Sequence, residues 1–583
     1  MYNGWMKQYL ENVVKSALAT LNYPQLPLSI VSTQDPSHGD YATSISFSLA
    51  KELKKSPKEI ADTICAQLGK DGLFKKVEVA GNGFINLTLS SQMLIDAIKT
   101  KPSASSAGRK VMVEFTDPNP FKEFHIGHLY SNIVGESIAR LIESTGAEVR
   151  RVTYQGDVGL HVAKSIYGMR EKMQAENLNL ETLGKKTLVD RVRFLGQSYA
   201  LGATAYEEDE LAKQEVIGLN KKIYSKDPEI IEIYTTGRQW SLEYFEAIYS
   251  RLGSKFWKNY FESDAGPIGV ELVKEFINKG IFRESQGAII FPGEDYGLHT
   301  RVFINSLGLP TYEAKELGLA VTKYKEFVFD QSIMVTGNEI NEYFKVLLKA
   351  LSLIEPDVAL KMKHLSHGMV RLPEGKMSSR TGNVVTGEWL LDEAVKRAGE
   401  KMRENKEKFV EDTSGEIAEI VGVGAVKWAL LKGSIGKDIE FSFDDSISFE
   451  GNSGPYIQYT FVRTQSLLHK AGISNEKSQI SNAASDWNFD IGKLTFEIEE
   501  RDLLVTLTRY NDIISEAAEK FVPHTVTTYL FELAQSFNNF YQKYPILKGE
   551  DSVRDFRLAL TAKVGETIKN GLYLLGIKTP DRM

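Results

Sequence analysis

Two histidines three residues apart are the first feature of the sequence that could do chemistry. The run His125-Ile126-Gly127-His128 follows a buried-strand pattern and opens a segment with helical periodicity. A helix N-terminus offers backbone amides to an anion, and two imidazoles can donate hydrogen bonds to phosphate oxygens. Gly127 would let the backbone approach a nucleotide closely. These residues predict an electrostatic phosphate site, although histidines at this spacing also occur on ordinary surface helices.

A second candidate motif lies much later in the chain, between Gly375 and Asn383. It combines two cations with several hydroxyl groups, and its candidate nucleotide-binding residues are Lys376, Met377, Ser378, Ser379 and Arg380. Such a glycine-bounded loop could close on pyrophosphate. A basic surface turn would contain the same residue types, so the motif gains its weight from following the first one in order.

The residues around the first motif indicate the elements that position it. Val111, Val113 and Phe115 give a buried-strand pattern, and apolar residues recur at helical spacing after His125. A further strand is predicted from Val149 to Tyr154. Strand, loop, helix and strand in this order form a βαβ unit, which predicts an α/β, Rossmann-like nucleotide-binding domain.

The length of 583 residues allows several domains, and the patterns predict three. Residues 1–105 indicate a small α+β module with helices near the start, over Ala42 to Lys55 and from Pro57, and a hairpin around Gly81-Asn82-Gly83. Residues 106–388 form the predicted α/β domain, with a charged helical insertion at about 165–258. Residues 389–583 are predicted to be nearly all helical. The linker from Lys101 to Gly108 marks the first boundary.

Composition narrows the classes of protein further. The net charge of −7 argues against a general polyanion binder, so any RNA contact must be local, for instance at the basic C-terminal tail. The single cysteine, Cys65, excludes an internal disulfide framework and a cysteine-based zinc site. Without a secretion signal or an apolar run of membrane length, an intracellular, cytoplasmic protein is expected.

The two motifs together resemble the HIGH and KMSKS signatures of class I aminoacyl-tRNA synthetases. The stretch from Glu114 to His128 is similar to the arginyl family in particular. Ser379 stands where the second lysine of KMSKS would be, and arginyl enzymes commonly share that departure. In them a lysine three residues before the first histidine compensates, which is Lys122 here. The resemblance implies catalytic roles for His125, His128, Lys122 and Lys376, with Arg380 as a further ATP ligand.

Arginine needs carboxylates, because its guanidinium is a planar cation with five donors that is costly to bury unpaired. The family places an acid in a Y-x-x-x-D segment, which here runs from Tyr312 with Glu316 replacing the aspartate. The arginine-binding residues that the resemblance implies are Glu114, Asn119, His128, Glu262, Tyr312 and Glu316.

Two further positions depart from the family pattern. Val158 replaces the tryptophan of the segment similar to GDWG, and Ile340 stands where the family has a glutamine. The polar contact of that glutamine is therefore either absent or supplied by Asn338 or Asn341.

Both ends of the chain resemble tRNA-binding domains of arginyl enzymes. The C-terminal region, from Gly454-Pro455-Tyr456 onward, is similar to their helical anticodon-binding domain, with Tyr459 and Tyr541 as platforms for unpaired bases. Helix-core aromatics are the alternative for each tyrosine. The first module, with Gly39-Asp40-Tyr41-Ala42, looks like the additional arginyl domain that contacts the tRNA elbow at the D-loop.

The resemblance implies an arginine–tRNA ligase that forms arginyl-adenylate from ATP and arginine and transfers it to the terminal ribose of tRNA(Arg). It further implies Mg²⁺ on the ATP phosphates, no structural metal, tRNA-dependent activation and a monomer. The alternatives are a class I synthetase for another amino acid, a smaller nucleotidyltransferase with the HIGH motif, and a tRNA-binding paralogue without activity. The first two do not account for both terminal domains.

Overall fold

The computed structural model describes residues 6–33, 35–99, 105–372, 385–404, 415–473 and 495–583. The chain forms two compact units. One comprises Met1–Ser105, Phe449–Leu574 and Lys578–Met583, and the other comprises Ser106–Ser448 with Leu575–Ile577. The predicted domain boundaries at 105 and 388 stay predictions, and part of the linker from Lys101 to Gly108 lies outside the described residues.

The N-terminal module is α+β, as its sequence predicts. Its elements are α1 (Met6–Thr20), β1 (Val31–Ser32), β2 (Tyr41–Thr43), α2 (Ile45–Leu53), α3 (Pro57–Leu68), β3 (Phe74–Ala80), β4 (Phe84–Leu89) and α4 (Ser91–Lys99). The four strands form an antiparallel sheet in the order β1-β2-β4-β3. The predicted helix from Ala42 begins only at Ile45, because residues 41–43 pair with β4 as a strand.

Local signals explain how this module is built. Ser56 caps α3, since its hydroxyl accepts a hydrogen bond from the Glu59 amide at 3.2 Å, with Pro57 in the first turn. Between β3 and β4 the chain turns at Gly81 and Gly83, with φ angles of +54° and +142° that favour glycine. The predicted hairpin is thereby confirmed.

A parallel sheet of five strands lies at the centre of the second unit. Its strands are β5 (Lys110–Phe115), β6 (Glu148–Gln155), β7 (Lys258–Phe261), β11 (Gln331–Gly337) and β12 (Met362–His367), in the order β12-β11-β5-β6-β7. Helix α5 (Ile126–Ser144) connects β5 to its parallel neighbour β6. The predicted βαβ unit and Rossmann-like class are confirmed. All but the first residue of β5 are buried, as expected for a central parallel strand.

The predicted helical insertion lies between β6 and β7. It consists of α6 (Leu160–Ala175), α7 (Leu180–Gly184), α8 (Leu188–Glu208), α9 (Glu210–Tyr224) and α10 (Ile231–Leu252). Helices α6 and α8 pack closely because Gly168 and Gly202 lack side chains. A Cβ at either position would overlap a backbone carbonyl of the other helix.

The chain between β7 and β11 carries several of the candidate site residues. It contains α11 (Glu262–Ile277), β8 (Arg283–Ser285), β9 (Ala288–Phe291), β10 (Arg301–Ile304) and α12 (Tyr312–Glu326), with β8 to β10 as a small antiparallel sheet. Helices α11 and α12 cross at Gly269 and Gly318. A Cβ on Gly269 would overlap the Ala314 carbonyl, and one on Gly318 would overlap that of Ala265. This close crossing brings Glu262 beside the first turns of α12.

The remaining elements of this unit complete the sheet edge and add helices. They are α13 (Asn341–Ile354), α14 (Pro356–Ala359), β13 (Val370–Arg371), α15 (Gly387–Glu404), α16 (Glu416–Leu431), β14 (Ile439–Glu440) and α17 (Phe443–Ser446). The short strand β14 interrupts the helices predicted after residue 389, because it pairs in parallel with β13.

The C-terminal part of the first unit is helical, as predicted. Its helices are α18 (Gly454–Lys470), α19 (Ile498–Thr508), α20 (Tyr510–Lys520), α21 (His524–Lys543) and α22 (Asp551–Leu574). They contact the N-terminal module through Asp40, whose carboxylate accepts two hydrogen bonds of 2.8 Å from Arg501 and one of 2.7 Å from the Leu89 amide. Such a bidentate pair fixes orientation as well as distance.

Replacing Gly269 by alanine tests the close crossing of α11 and α12. We expect the free energy of unfolding to fall by about 1–3 kcal/mol, because the added methyl group must push two backbones apart. Gly218→Ala, in α9, is the matched control, since a Cβ there meets no atom within 4 Å. It should stabilise the chain by roughly 0.5–1 kcal/mol. Equal effects of both substitutions in urea denaturation would contradict the packing argument.

Candidate active site

A cavity of about 880 Å³ opens at the carboxyl ends of the parallel strands. Residues that follow β5, β6 and β11 line it, together with the start of α5 and the segment after β12. Open α/β sheets bind their ligands at this edge, where the strand order reverses. Of the predicted site residues, the cavity is lined by Glu114, Asn119, His125, Gly127, His128, Glu262, Tyr312 and Glu316.

The histidine pair forms the cap of α5. The Nδ1 atom of His125 accepts hydrogen bonds from the amides of Gly127 and His128, at 3.1 and 3.4 Å. The Nδ1 atom of His128 accepts one from the His125 amide at 3.3 Å, and the two rings stack with centroids 3.5 Å apart. Both Nδ1 atoms are therefore used as acceptors within the motif.

Both imidazoles are neutral at physiological pH. Burial, aided by the charge of Lys122, lowers the pKa of His125 to about 4. Burial, then the neighbouring His125 and Lys122, holds the pKa of His128 well below its usual value. A neutral imidazole that accepts at Nδ1 carries its proton on Nε2. Each ring can therefore donate one hydrogen bond from Nε2, as the predicted electrostatic role requires.

The backbone amides at the start of α5 are already engaged, which corrects the expectation that they bind phosphate. Gly127 and His128 donate to His125, and Ile126 donates to the Val385 carbonyl at 3.2 Å. A histidine side chain at the N-cap satisfies the amides that would otherwise face an anion. Gly127 leaves room for this cap, because a Cβ there would lie 3.0 Å from the His125 ring.

The loop between β5 and α5 is held in a strained conformation. Thr116, Asp117 and Phe121 have φ angles of +84°, +43° and +68°, which side chains rarely adopt. The Thr116 amide donates to Ser131 Oγ, and the Phe121 amide donates to Ser241 Oγ, both at 2.9 Å. Backbone strain of this kind persists where surrounding contacts enforce it, commonly at functional sites.

Lys122 lies next to the histidines but not on the described cavity wall. It is half-buried, and its ammonium lies 4.8 Å from the ring centroid of Tyr199 in the helical insertion. Its charge nevertheless reaches the site, because it lowers the pKa values of His125 and His128. A role as phosphate cation stays a prediction.

Described residues before and after the second motif line the same cavity. Lys376, Met377, Ser378, Ser379 and Arg380 lie outside the described residues. On either side of that gap, Val370 and Val385 line the cavity. The residues after the gap pair with the first motif: the Gly387 amide donates to the Phe124 carbonyl at 2.8 Å. The described residues that follow the second motif in the chain therefore contact the segment that carries the first motif.

Four buried glutamates line the cavity, and three of them are paired with cations of the chain. Glu114 lies 2.6 Å from Lys323, Glu262 lies 2.5 Å from Lys315, and Glu313 lies 3.2 Å from Arg301, measured between nitrogen and oxygen. The fourth, Glu316, is 5% exposed, and its Oε1 atom has no hydrogen-bond partner. A buried carboxylate oxygen without a partner is rare in folded proteins and points to a missing ligand.

The Glu316 carboxyl is electrostatically unfavourable in its charged form at this buried position. Burial, together with the nearby Glu114, raises the pKa of Glu316 well above its usual value. Burial and Glu114 likewise raise the pKa of Asp117, although the Tyr154 amide donates to it at 2.7 Å. A cationic ligand would relieve both groups.

Sequence reasoning missed the cations that pair with the acids. Lys315 stands inside the motif that begins at Tyr312. Lys323 follows Glu316 by seven residues, which places Lys323 and Glu316 on one face of α12. That helical spacing was the available signal. Their partners Glu114 and Glu262 are distant in sequence.

The two departures from the family pattern have different surroundings. Val158 is buried in the core of the helical insertion, away from the described cavity wall. Ile340 lines the cavity, whereas Asn338 and Asn341 are not among the described lining residues. Of the two alternatives, a contact from Asn338 or Asn341 is therefore not supported, and the exposed Glu339 between them lines the cavity.

The two tyrosines proposed to bind tRNA lie together in the first unit. The guanidinium of Arg463 is 4.9 Å from the ring centroid of Tyr459 and 5.0 Å from that of Tyr541. Tyr541 is 39% exposed, whereas Phe537 one turn earlier is fully buried. Arg463 also donates to Asn538, so its position is fixed from a second side. The core alternative therefore applies to Phe537 rather than to Tyr541.

The residues that the structure describes contain neither a membrane-spanning helix nor a cluster of metal ligands. None of the described helices is both long and apolar enough to cross a membrane. Within the same residues, no group of three or more His, Cys, Asp or Glu side chains is arranged to hold a metal ion.

The fold, the insertion and the histidine pair at the start of α5 define a class I aminoacyl-tRNA synthetase. A family model described as "tRNA synthetases class I (R), catalytic domain" matches residues 90–443. Models of the "Arginyl tRNA synthetase N terminal domain" and the "DALR anticodon binding domain" match residues 8–89 and 457–583. The chain belongs to the arginyl-tRNA synthetase family.

Individual arginine–tRNA ligases are similar to this chain over nearly its whole length. An arginine–tRNA ligase of Treponema denticola is 32% identical over 576 residues, covering 94% of this chain and 93% of that protein. One from Halothermothrix orenii is 30% identical over 585 residues, covering 99% of each. The structure of Thermus thermophilus arginyl-tRNA synthetase matches with a TM-score of 0.80 and 25% identity, over 99% of this chain and all of that one.

Replacing Glu316 by glutamine should stabilise the protein at pH 8 but not at pH 4.5. A carboxyl whose pKa is raised on folding binds more protons in the folded state, so stability falls as pH rises through the raised pKa. The neutral glutamine removes that loss. The same variant should lower kcat/KM for arginine by at least roughly 100-fold.

Thermal unfolding at both pH values measures the first effect. Glu313→Gln, on the same helix but paired with Arg301, is the control and should gain no stability at pH 8. A Glu316→Gln variant that is no more stable at pH 8 than the parent would contradict the uncompensated charge.

Proposed function

We propose that this chain joins L-arginine to tRNA(Arg) in two steps, forming arginyl-adenylate from ATP and then transferring the arginyl group to the 3′-terminal ribose. Membership of the arginyl-tRNA synthetase family supports the reaction type. The choice of arginine rests on the buried Oε1 atom of Glu316, which has no hydrogen-bond partner. Glu316 lines the same cavity as His125. A guanidinium is the amino-acid side chain that such an oxygen best accommodates.

The geometry suggests how arginine lies in the cavity. Its guanidinium would meet Glu316, with the ring of Tyr312, 61% exposed at the cavity wall, beside it. Glu114 and Asn119, at the end of β5, would hold the α-amino and carboxylate end near the histidines. One oxygen of the arginine carboxylate then attacks the α-phosphorus in line, and the bond to pyrophosphate breaks. Positioning and charge stabilisation supply the catalysis.

Donors around the phosphates complete the proposal. The Nε2–H groups of His125 and His128 would stabilise the negative charge that develops on the phosphate oxygens. Lys122 and Lys376 would be the main phosphate cations, with Gly127, Met377, Ser378, Ser379 and Arg380 also in contact with ATP. Mg²⁺ would arrive with ATP, because it is commonly bound through substrate phosphates and water.

The first unit would bind the tRNA. Tyr459 and Tyr541 would stack on unpaired anticodon bases, and the N-terminal module would contact the elbow at the D-loop. We further propose that activation requires bound tRNA and that the enzyme acts as a monomer in the cytoplasm. Arginine-dependent pyrophosphate exchange that runs at full rate without tRNA would contradict the first of these points.

An aminoacylation assay with each of the twenty amino acids and total tRNA tests the proposed function. We expect charging with arginine alone. Charging with a different amino acid would reassign the substrate. Tight tRNA binding without any charging would favour the inactive paralogue, for which the departures at Glu316 and Ile340 are the supporting observations.

Two replacements of His125 distinguish its structural role, as the cap of α5, from its catalytic role as a hydrogen-bond donor at Nε2. In His125→Asn the amide oxygen can still cap α5, but the donor at the Nε2 position is lost, so charging should fall about 100- to 1000-fold. In His125→Gln the side-chain amide reaches the Nε2 position but caps poorly, so stability should fall by about 1 kcal/mol while more activity remains.

Steady-state charging rates and thermal unfolding of the two variants provide the comparison. The account requires the asparagine variant to be the more stable and the glutamine variant the more active. The opposite ranking of activities would show that capping, not donation from Nε2, is what His125 contributes.

Replacing Tyr541 by leucine should raise KM for tRNA about tenfold, because one base stack is worth about 1–3 kcal/mol. KM values for arginine and ATP should stay unchanged. Phe537→Leu, in the buried core one turn away, should affect stability but not KM for tRNA. Charging rates at varied tRNA concentration measure both variants, and equal KM values for tRNA would remove Tyr541 from the interface.

A further inference from the structure

The ion pair between Lys315 and Glu262 is built into the wall of the amino-acid pocket. Both side chains are 5% exposed, and the ammonium nitrogen lies 2.5 Å from the carboxylate oxygen. Glu262 begins α11 and Lys315 lies in the first turn of α12. The close crossing of those helices holds the pair in place. A pair so deeply buried has little freedom to exchange partners with solvent.

The position of Lys315 relative to the substrate is set by its other neighbours. Its ammonium lies 4.7 Å from the ring centroid of Tyr312, which lines the cavity. The next residue on the helix is Glu316, whose Oε1 atom is unpartnered. Lys315 is thus paired with Glu262, while Glu316, its neighbour in the sequence, also lines the pocket.

The charges of the pocket follow from these contacts. Lys323 compensates Glu114, Arg301 compensates Glu313, and Lys315 compensates Glu262. Among the buried glutamates of the described cavity wall, Glu316 is left for the cation of the substrate. If Lys315 were neutral, a second buried carboxylate would require a proton or a cation.

We propose that Lys315 is a positioning residue that sets the charge of the amino-acid pocket: by compensating Glu262, it leaves one glutamate charge for the substrate side chain to neutralise. The inference rests on the proposed binding of arginine here. It concerns how many buried charges the substrate meets, and it holds whichever oxygen atoms touch the guanidinium. A substrate with one side-chain cation matches one uncompensated glutamate.

The tyrosines and the histidine around the pair do not change their charge at neutral pH. Those that face Glu262 or Lys315 are Asp157, Glu316, His161, Tyr154, Tyr224 and Tyr343, besides Tyr312. Burial raises the pKa of each of these tyrosines, so they stay protonated. Burial lowers the pKa of His161 to about 4, so it stays neutral.

The consequence of removing Lys315 can be measured as protons. In Lys315→Met, Glu262 would lose its cation and take up a proton in the empty pocket, because burial already raises the pKa of its carboxyl. The guanidinium would then lie near two carboxyls that have no cation of the chain, and because a nearby cation favours the ionised form of each, arginine would displace this proton as well. The variant should therefore release about one proton more per arginine bound than the parent chain does. The dependence of KM for arginine on pH should steepen correspondingly.

Calorimetric titration of the full chain with arginine, in buffers of different ionisation enthalpy, counts the released protons. Lys315→Arg keeps the charge and should release the same number as the parent. The double variant Lys315→Met with Glu262→Gln removes both charges and should return to the parental number. Glu262→Gln alone leaves Lys315 unpaired beside the substrate cation, so it should raise KM for arginine at least tenfold, and the double variant should recover part of that loss.

The outcomes distinguish a failure of the proposed function from a failure of the inference about Lys315. If the parent chain binds no arginine, the proposed function fails, whatever the variants do. If the parent binds arginine and Lys315→Met releases the same number of protons, Lys315 is structural and the inference is wrong. A double variant that behaves like Lys315→Met in proton number would also overturn it. Unfolding midpoints verify that each variant is folded, and the double variant and Lys315→Arg remain informative if Lys315→Met is not.

Discussion

Glu316 holds a carboxyl oxygen, Oε1, in a buried position where no group of the described residues provides a hydrogen bond. Leaving such a group unpaired costs about 1–3 kcal/mol, and more when it is charged. The cost falls on the empty enzyme and is relieved when a cation enters. Relief of this cost therefore contributes to substrate affinity, provided that the surrounding packing holds the Glu316 carboxylate in place.

Backbone packing around the pocket supplies that constraint. Gly269 and Gly318 let α11 and α12 approach so closely that their first turns share one ion pair, Glu262 with Lys315. On the opposite wall, the strained loop after β5 is fixed by hydrogen bonds that its Thr116 and Phe121 amides donate to Ser131 and Ser241. Rigid elements thus position both ends of the proposed substrate, the guanidinium at α12 and the α-amino group at β5. Pre-organisation of this kind reduces the entropy lost on binding.

Local sequence patterns predicted the elements that carry the site. The strand before His125, the helix after it and the next strand follow from periodicity within a short window, and the structure confirms all three. The hairpin at Gly81 and the cap at Ser56 follow from turn and capping chemistry in the same way. The position of Glu316 in the cavity was predicted from a resemblance, since no local pattern distinguishes a buried acid from a surface one.

What the sequence did not predict depends on contacts between distant segments. The pairing of Glu114 with Lys323 joins residues more than two hundred positions apart, and the strand at Ile439 forms only because Val370 lies beside it. The amides of α5 were expected to face phosphate, but a histidine at the cap position satisfies them, which local rules favouring Ser, Thr, Asp or Asn do not anticipate.

A crystal structure of the protein with arginine bound would test the central claim most directly. The account predicts a guanidinium nitrogen about 3 Å from the Glu316 carboxylate, within hydrogen-bond distance, with Lys315 still paired to Glu262. A guanidinium bound elsewhere in the cavity, with the Glu316 oxygen still unpartnered, would contradict it.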